Sequence, residues 1–384
     1  MTWMAITRIR TPRMRRENLA LVIFGIIFLV HVNPAINASL LFYIRKSAAF
    51  LLGTGLVFLG QRVRPRSLGK VVLLATTVYA FFAVLQYMSE PTFWSIVSPL
   101  VPVRDTIRED RGAASLAPEA TDFGFTAVYL FLFALLVRSS DIRDSKVTRL
   151  MPLAAGTAVA CVFLSKSGSG VIALATVALT IFVVYTGSAR RSLLWILLVG
   201  ACLVAAATAS NFLQNNRGVA LLMLALSAPE LLLHTTFSYR FVHNLIGVLA
   251  VMESKGLGFG AGSFLTVGPQ LYAEYGLAGK LNLPAYYATA MERTLATNPS
   301  SVIAQLLVEY GILGVSVMLM LAHRVAKSTV RLKWACALML FYTWAQSFPL
   351  AYPPFWLLLG LVGNPLFSTQ SLVRQSDDKQ RQYA

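Results

Sequence analysis

The stretch VVLLATTVYAFFAVLQYM, Val71 to Met88, runs without a single charged side chain. As a helix rising 1.5 Å per residue, it covers most of the roughly 30 Å of hydrocarbon in a bilayer. It reads as a membrane span, and it is not alone. Working outward, apolar runs of similar character predict further helices near 18–33, 46–60, 120–137, 149–164, 170–187, 192–209, 300–322, 333–350 and 354–367. That makes about ten crossings. The 384 residues are 57% hydrophobic and 13% charged, more apolar surface than one globular core can bury. The expected fold class is an all-α polytopic membrane protein, with 1–384 forming a single integral membrane domain.

The net charge of +17 would suit nucleic acid, but its distribution does not. About two thirds of the 33 Lys and Arg fall in the N-terminal arm, in loops 61–70, 138–149, 188–191 and 323–333, and in the C-terminal tail. These segments alternate with the others along the chain, and basic loops stay on the cytoplasmic side. Both termini are therefore expected in the cytoplasm, and no nucleic-acid partner is expected. The arm RIRTPRMRRE, residues 8–17, resembles the start of a secretion signal, yet no small-residue cleavage site follows Val32. The first span reads as a retained anchor. Cys161, Cys202 and Cys336 all lie in apolar spans and read as packing residues, with neither metal-ligand spacing nor a disulfide framework.

This topology leaves 89–119 as an outer loop with room for a re-entrant segment, and 210–299 as a large periplasmic loop containing short helices. Ser115 and Tyr272, within them, are expected to be open to solvent. Long ordered loops usually bind or catalyse something, whereas the cytoplasmic connections here are short and simply basic. GLGFGAG, Gly256 to Gly262, lacks the strand–turn–helix context of a nucleotide loop. It is either a flexible turn or backbone that approaches a ligand closely. Neither outer segment holds an Asp-x-Asp pair or a His/Asp/Glu cluster with metal-ligand spacing, so a metal-dependent transferase is disfavoured and no metal or cofactor is expected. The Gly-x-Ser-x-Gly elbow of a serine hydrolase is missing too, and SKSGSG at 165–170 is a short turn between spans.

Three polar constellations remain. In REDRGAASLAPEATDFG, residues 108–124, Arg111 precedes Glu119 and Asp122, and Pro118 suits a first helical turn. Acidic residues there either act chemically or complement the helix dipole. In SYRFVHNLIGV, residues 238–248, helical spacing puts Arg240, His243, Asn244 and Gly247 on one face and Phe241, Leu245, Val248 and Leu249 on the apolar side. In TNPSSVIAQLLVEYGILG, residues 297–314, Asn298 or Ser300 would cap the helix returning to the membrane, with Glu309 either tying helices or acting in catalysis.

Taken in order, these elements resemble the bacterial superfamily of O-antigen ligases and Wzy-type O-antigen or exopolysaccharide polymerases. RGAASLAPEATDFG is similar to the arginine-then-EPS element of the polymerases, with Glu119 kept and Ala120–Thr121 in place of Pro–Ser. YRFVHNLIGV followed by KGLGFGAGSF is similar to the R…W…PLFGVGxGxF element, and NPSSVIAQLLVEYGILG to the HN…L…L…E.G..G element. The match covers about 111–314; Ser300 stands where ligases and many relatives carry a histidine.

The resemblance implies a GT-C-like membrane glycosyltransferase of the bacterial inner membrane, acting at the periplasmic face on donor and acceptor glycans linked to undecaprenyl pyrophosphate. Membrane lipids and a chain-length-regulating co-polymerase are the other implied partners. Pyrophosphate needs charge neutralisation more than a general acid, so Arg240 and Arg111 are the expected clamp. The acceptor hydroxyl must lose a proton, for which His243 or Glu119 is the candidate base. Tyr239, Asn244, Asn298 and Ser300 complete the expected substrate-binding set. The expected reaction is direct displacement with inversion. The rivals are a ligase that transfers finished glycan to lipid A-core, and a flippase or transporter, which would show internal repeats and discontinuous helices.

Overall fold

The computed structural model describes residues 40–99, 112–140, 146–184, 237–297, 301–345 and 352–367, together with positions 26, 224, 227, 228 and 231. The expected span 192–209 and the expected site residues Arg111, Asn298 and Ser300 lie outside them, as does the span 18–33 apart from Ile26.

Among the described residues the longer elements are all helices. They are α1 (Leu40–Arg62), α2 (Pro65–Met88), α3 (Glu90–Val97), α4 (Ala120–Ser139), α5 (Lys146–Leu164), α6 (Gly168–Val184), α7 (Phe237–Glu253), α8 (Phe264–Glu274), α9 (Leu277–Lys280), α10 (Ala285–Thr297), α11 (Val302–Ala326), α12 (Lys333–Ala345) and α13 (Pro353–Val362). Four of these, α2, α4, α5 and α11, are long and apolar enough to cross a membrane; α6 and α13 are apolar but shorter. The chain thus has the make-up of an α-helical membrane protein.

Helix ends depart from the apolar runs for local reasons. Extended Arg64 followed by Pro65 starts α2 well before its uncharged stretch, because proline is pre-set for a first helical position. The pair Pro353–Pro354 starts α13 in the same way. The C-cap Gly363 closes that helix, which is why it ends at Val362, well short of the expected span end at 367. Conversely, α1 begins at Leu40 and carries Arg45 and Lys46 within the helix, ahead of the expected start at 46.

The principal core lies around α4, which packs on α2, α5 and α6. In its most apolar window α4 is 83% buried, against 28% for α2, so α4 is the centre of the bundle and α2 part of its rim. Small residues allow the closest helix approaches, as is common where membrane helices pack. Gly60 of α1 meets Gly360 of α13, and Gly124 of α4 meets Gly170 of α6, with added Cβ atoms falling 2.9 and 3.1 Å from the facing Cα atoms. A second, smaller core joins α7, α8 and α10 to the first half of α11 through Val242, Ile246, Phe264, Met291, Leu295 and Val308.

The two ends of the bundle differ. At one end the α1–α2 turn is tied to the end of α13, where Asn364 Nδ2 donates to the carbonyls of Gly60 and Val63, both at 2.9 Å. The α11–α12 turn joins them through Ser328 Oγ, 2.7 Å from the Val362 carbonyl. The start of α2, the end of α4 and the start of α5 meet at Gly69, Val137 and Val147. Arg62, Arg64, Arg138, Lys146, Arg324 and Lys327 therefore belong to one basic end.

At the opposite end the stretch 112–117 is packed, whereas α3 leaves Pro91, Thr92, Ser95 and Ile96 exposed. Gln86 Oε1 accepts the backbone N–H groups of Ala114 and Ser115 at 2.9 and 3.0 Å, and Ser115 Oγ donates to the Tyr79 carbonyl at 2.8 Å. Ser115 and Tyr272, expected to be open, are 0% and 2% exposed. Backbone amides that need partners draw Ser115 in. Tyr272 turns into the second core.

Candidate functional site

The spacing of SYRFVHNLIGV does build one polar face on α7, and that face points inward. His243 is fully buried, and Gly247 sits against α11, where an added Cβ would lie 3.0 Å from Ala304 Cα. Of the apolar side, Phe241 and Val248 face out, 42% and 50% exposed, while Leu245 and Leu249 pack against the second core.

Asn244 holds this face in place. Its Nδ2 donates to the Arg240 carbonyl at 2.8 Å, and its Oδ1 accepts from Ser301 Oγ at 2.8 Å. Ser301 is the N-cap of α11, its Oγ accepting from Ala304 N at 3.3 Å and lying 3.2 Å from the Trp344 carbonyl of α12. The cap is thus Ser301, three residues beyond Asn298 and one beyond Ser300, the two expected positions. The sequence signal was present: Ser301 directly precedes the apolar run.

Arg240, half-buried at the start of α7, lies near enough to His243 and to Tyr342 of α12 for its charge to act on both. Tyr342 stacks on Phe125 of α4, ring centroids 5.6 Å apart. One turn before Phe125 is Asp122, whose charge reaches Tyr79 and Tyr352. The Tyr352 hydroxyl is 2.9 Å from Thr126 Oγ1. Glu119 precedes α4 as its extended N-cap residue, half-exposed, and its carboxylate makes no capping hydrogen bond. Pro118 therefore stands outside the helix instead of in its first turn. Tyr342 thus stacks on α4 within range of the Arg240 charge, a placement without a signal in the sequence because an aromatic residue inside an apolar run is indistinguishable from packing.

His243 packs its ring against Phe264, centroids 5.3 Å apart. Burial first, and the Arg240 charge second, lower its pKa from 6.5 to about 3. In the folded chain it is neutral above about pH 3, whereas in the unfolded chain it takes up a proton below about 6.5. Between those values the unfolded state binds the extra proton, so acidification removes stability. His243→Asn is expected to remove part of this dependence. Between pH 7 and 4 its thermal unfolding temperature in detergent should fall less steeply than that of the wild type. Parallel pH curves would show that the histidine does not titrate in this way.

The glycine loop approaches backbone. Helix α11 is broken at Gly311, φ 51° and ψ −126°. Phe259 N donates to Val308 O and Gly260 N to Glu309 O, both at 2.9 Å, while Ile312 N donates to Gly256 O at 2.8 Å. The glycines let the loop replace the hydrogen bonds lost at the break. Glu309, beside it, is 1% exposed and accepts from Gln305 Nε2, one turn earlier on the same helix, at 3.1 Å.

Among the described residues no three His, Cys, Asp or Glu are grouped to hold a metal ion. No protein family, curated protein or solved structure matches the chain.

Proposed function

We propose that this chain is a membrane glycosyltransferase that polymerises undecaprenyl-pyrophosphate-linked repeat units at the periplasmic face of the bacterial inner membrane. The observation that carries this reading is the placing of Arg240. A guanidinium on the inward-facing side of α7 lies away from the basic end, near enough to His243 and Tyr342 for its charge to act on both. An arginine fork suits pyrophosphate, and neutralising that leaving group is the main electrostatic demand of the reaction. The basic end supports cytoplasmic loops there, and hence a site on the outer side.

Of the two base candidates, Glu119 is favoured. His243 is shut away from solvent with its proton affinity strongly lowered, far from the pKa that suits a general base at neutral pH. Its proposed role is to seat Arg240.

The break in α11 is the one feature that favours a transporter, whose discontinuous helices expose backbone groups to substrate. Here Val308 O, Glu309 O and Ile312 N bond to the glycine loop instead. The test is incubation of the purified protein in lipid nanodiscs with undecaprenyl-pyrophosphate repeat units and EDTA. A ladder of lipid-linked products is expected. Single transfer to lipid A-core would make the protein a ligase, and the absence of transfer to either acceptor would overturn the transferase reading.

A further inference from the structure

Beside the second core three tyrosines come together: Tyr239, which precedes Arg240 and packs against that core, and Tyr286 and Tyr287 of α10, which lie outside it. Tyr239, at the start of α7, is half-buried and meets Tyr287 of α10 with ring centroids 6.0 Å apart. Tyr287 in turn meets Tyr286 edge-on, 5.4 Å away and inclined at 80°. Tyr286 is 77% exposed. The three hydroxyls lie close enough for Tyr286 and Tyr287 to act on the ionisation of Tyr239. The result is an open corner, one ring a floor and the next a wall, fringed by phenol oxygens.

A large exposed ring needs a reason. A helix lying in the headgroup region would bury Leu, Phe or Trp along one side. The exposed residues of α10 are otherwise Ala285, Thr289, Glu292, Arg293 and Ala296, which are small or polar. A pyranose fits better: its C–H face is apolar, its edge is lined with hydroxyls, and tyrosine offers both an apolar body and a polar tip. We infer that Tyr239, Tyr287 and Tyr286 form a cradle that stacks a sugar ring of the lipid-linked glycan next to the pyrophosphate clamp. This deepens the transferase reading and rests on it. Arg240 holds the charged end of the substrate, and the tyrosines hold the first sugars leading away from it.

The test separates binding from turnover. The probe is the oligosaccharide released by mild acid from lipid-linked repeat units of the producing cells, its binding followed by saturation-transfer NMR on the full-length protein in nanodiscs. Tyr286→Ala is expected to weaken binding by roughly five- to tenfold and to raise KM for the intact repeat unit with kcat little changed. Tyr286→Phe, which keeps the ring but loses the hydroxyl, should fall between Tyr286→Ala and the wild type. The exposure of Tyr286 leaves the fold untouched by either change. Wild-type binding by Tyr286→Ala would overturn the cradle, as would a loss in Tyr286→Phe equal to that in Tyr286→Ala. Elongation by a protein whose Tyr286→Ala variant still binds the oligosaccharide would sink the cradle alone. Tyr286-dependent binding without elongation would sink the transferase reading and leave the sugar site standing.

Discussion

Arg240→Ala is expected to lower chain elongation by about 10²- to 10³-fold, the range found when a single donor to a developing anion is removed. Arg240→Lys should fall between it and the wild type, since lysine keeps the charge but loses the planar fork that bonds two oxygens at once. Neither change should unseat α7. The anchor runs from Asn244 to the backbone carbonyl of Arg240, which any residue supplies, and on to Ser301. Folded yield and melting temperature should therefore stay near wild type while turnover collapses. A second readout follows from the electrostatics: without the guanidinium, one of the two causes lowering the His243 pKa is gone, and that pKa should rise. A well-expressed Arg240→Ala that elongates at near wild-type rate would overturn the clamp and move the search to Arg111 and Glu119.

The sequence spoke most clearly where one physical term dominates. Helices α2, α4, α5 and α11 follow from uninterrupted apolar length, because a run that fits a bilayer has few other uses. The polar face of α7 followed from helical periodicity alone. Its direction did not, because nothing local says that His243 will meet Phe264 or that Gly247 will meet Ala304. Ser115 and Tyr272 failed as exposed positions for the same reason: loop membership is local, burial is not. The cap of α11 lay beyond both expected positions, since two serines precede Val302 and only the backbone decides which is the last extended residue. The alternate glycines left two readings open, a flexible turn or backbone in close approach to a ligand, and the approach found is to other backbone. They could not announce its object, a break in a helix some fifty residues further along the chain.

That break sets the largest expected effect on stability. Gly311→Ala should prevent accumulation of folded protein, or lower its melting temperature in detergent severely. At φ 51° and ψ −126° the backbone is in a region open in practice only to glycine, and an added Cβ would lie 2.2 Å from the Gly256 carbonyl oxygen and 2.6 Å from Gly258 N. Strain of this kind costs about 1–3 kcal/mol, and overlap in a packed interior about as much again, against a total stability of roughly 5–15 kcal/mol. Gly258→Ala should act in the same direction, because its Cβ would lie 2.7 Å from Glu309 O. Gly279→Ala is the control: no atom comes within 4 Å of its added Cβ, and the variant should melt like the wild type. The loss would reach function through geometry. The loop pins α7 and α8 to the first half of α11, the same stretch whose cap, Ser301, fixes Asn244 and through it the Arg240 backbone. A mildly destabilised variant, obtained at low temperature, should therefore lose elongation before it unfolds, with the Arg240 backbone no longer held in place. A Gly311→Ala protein with wild-type melting temperature would mean that the loop is not latched to the break.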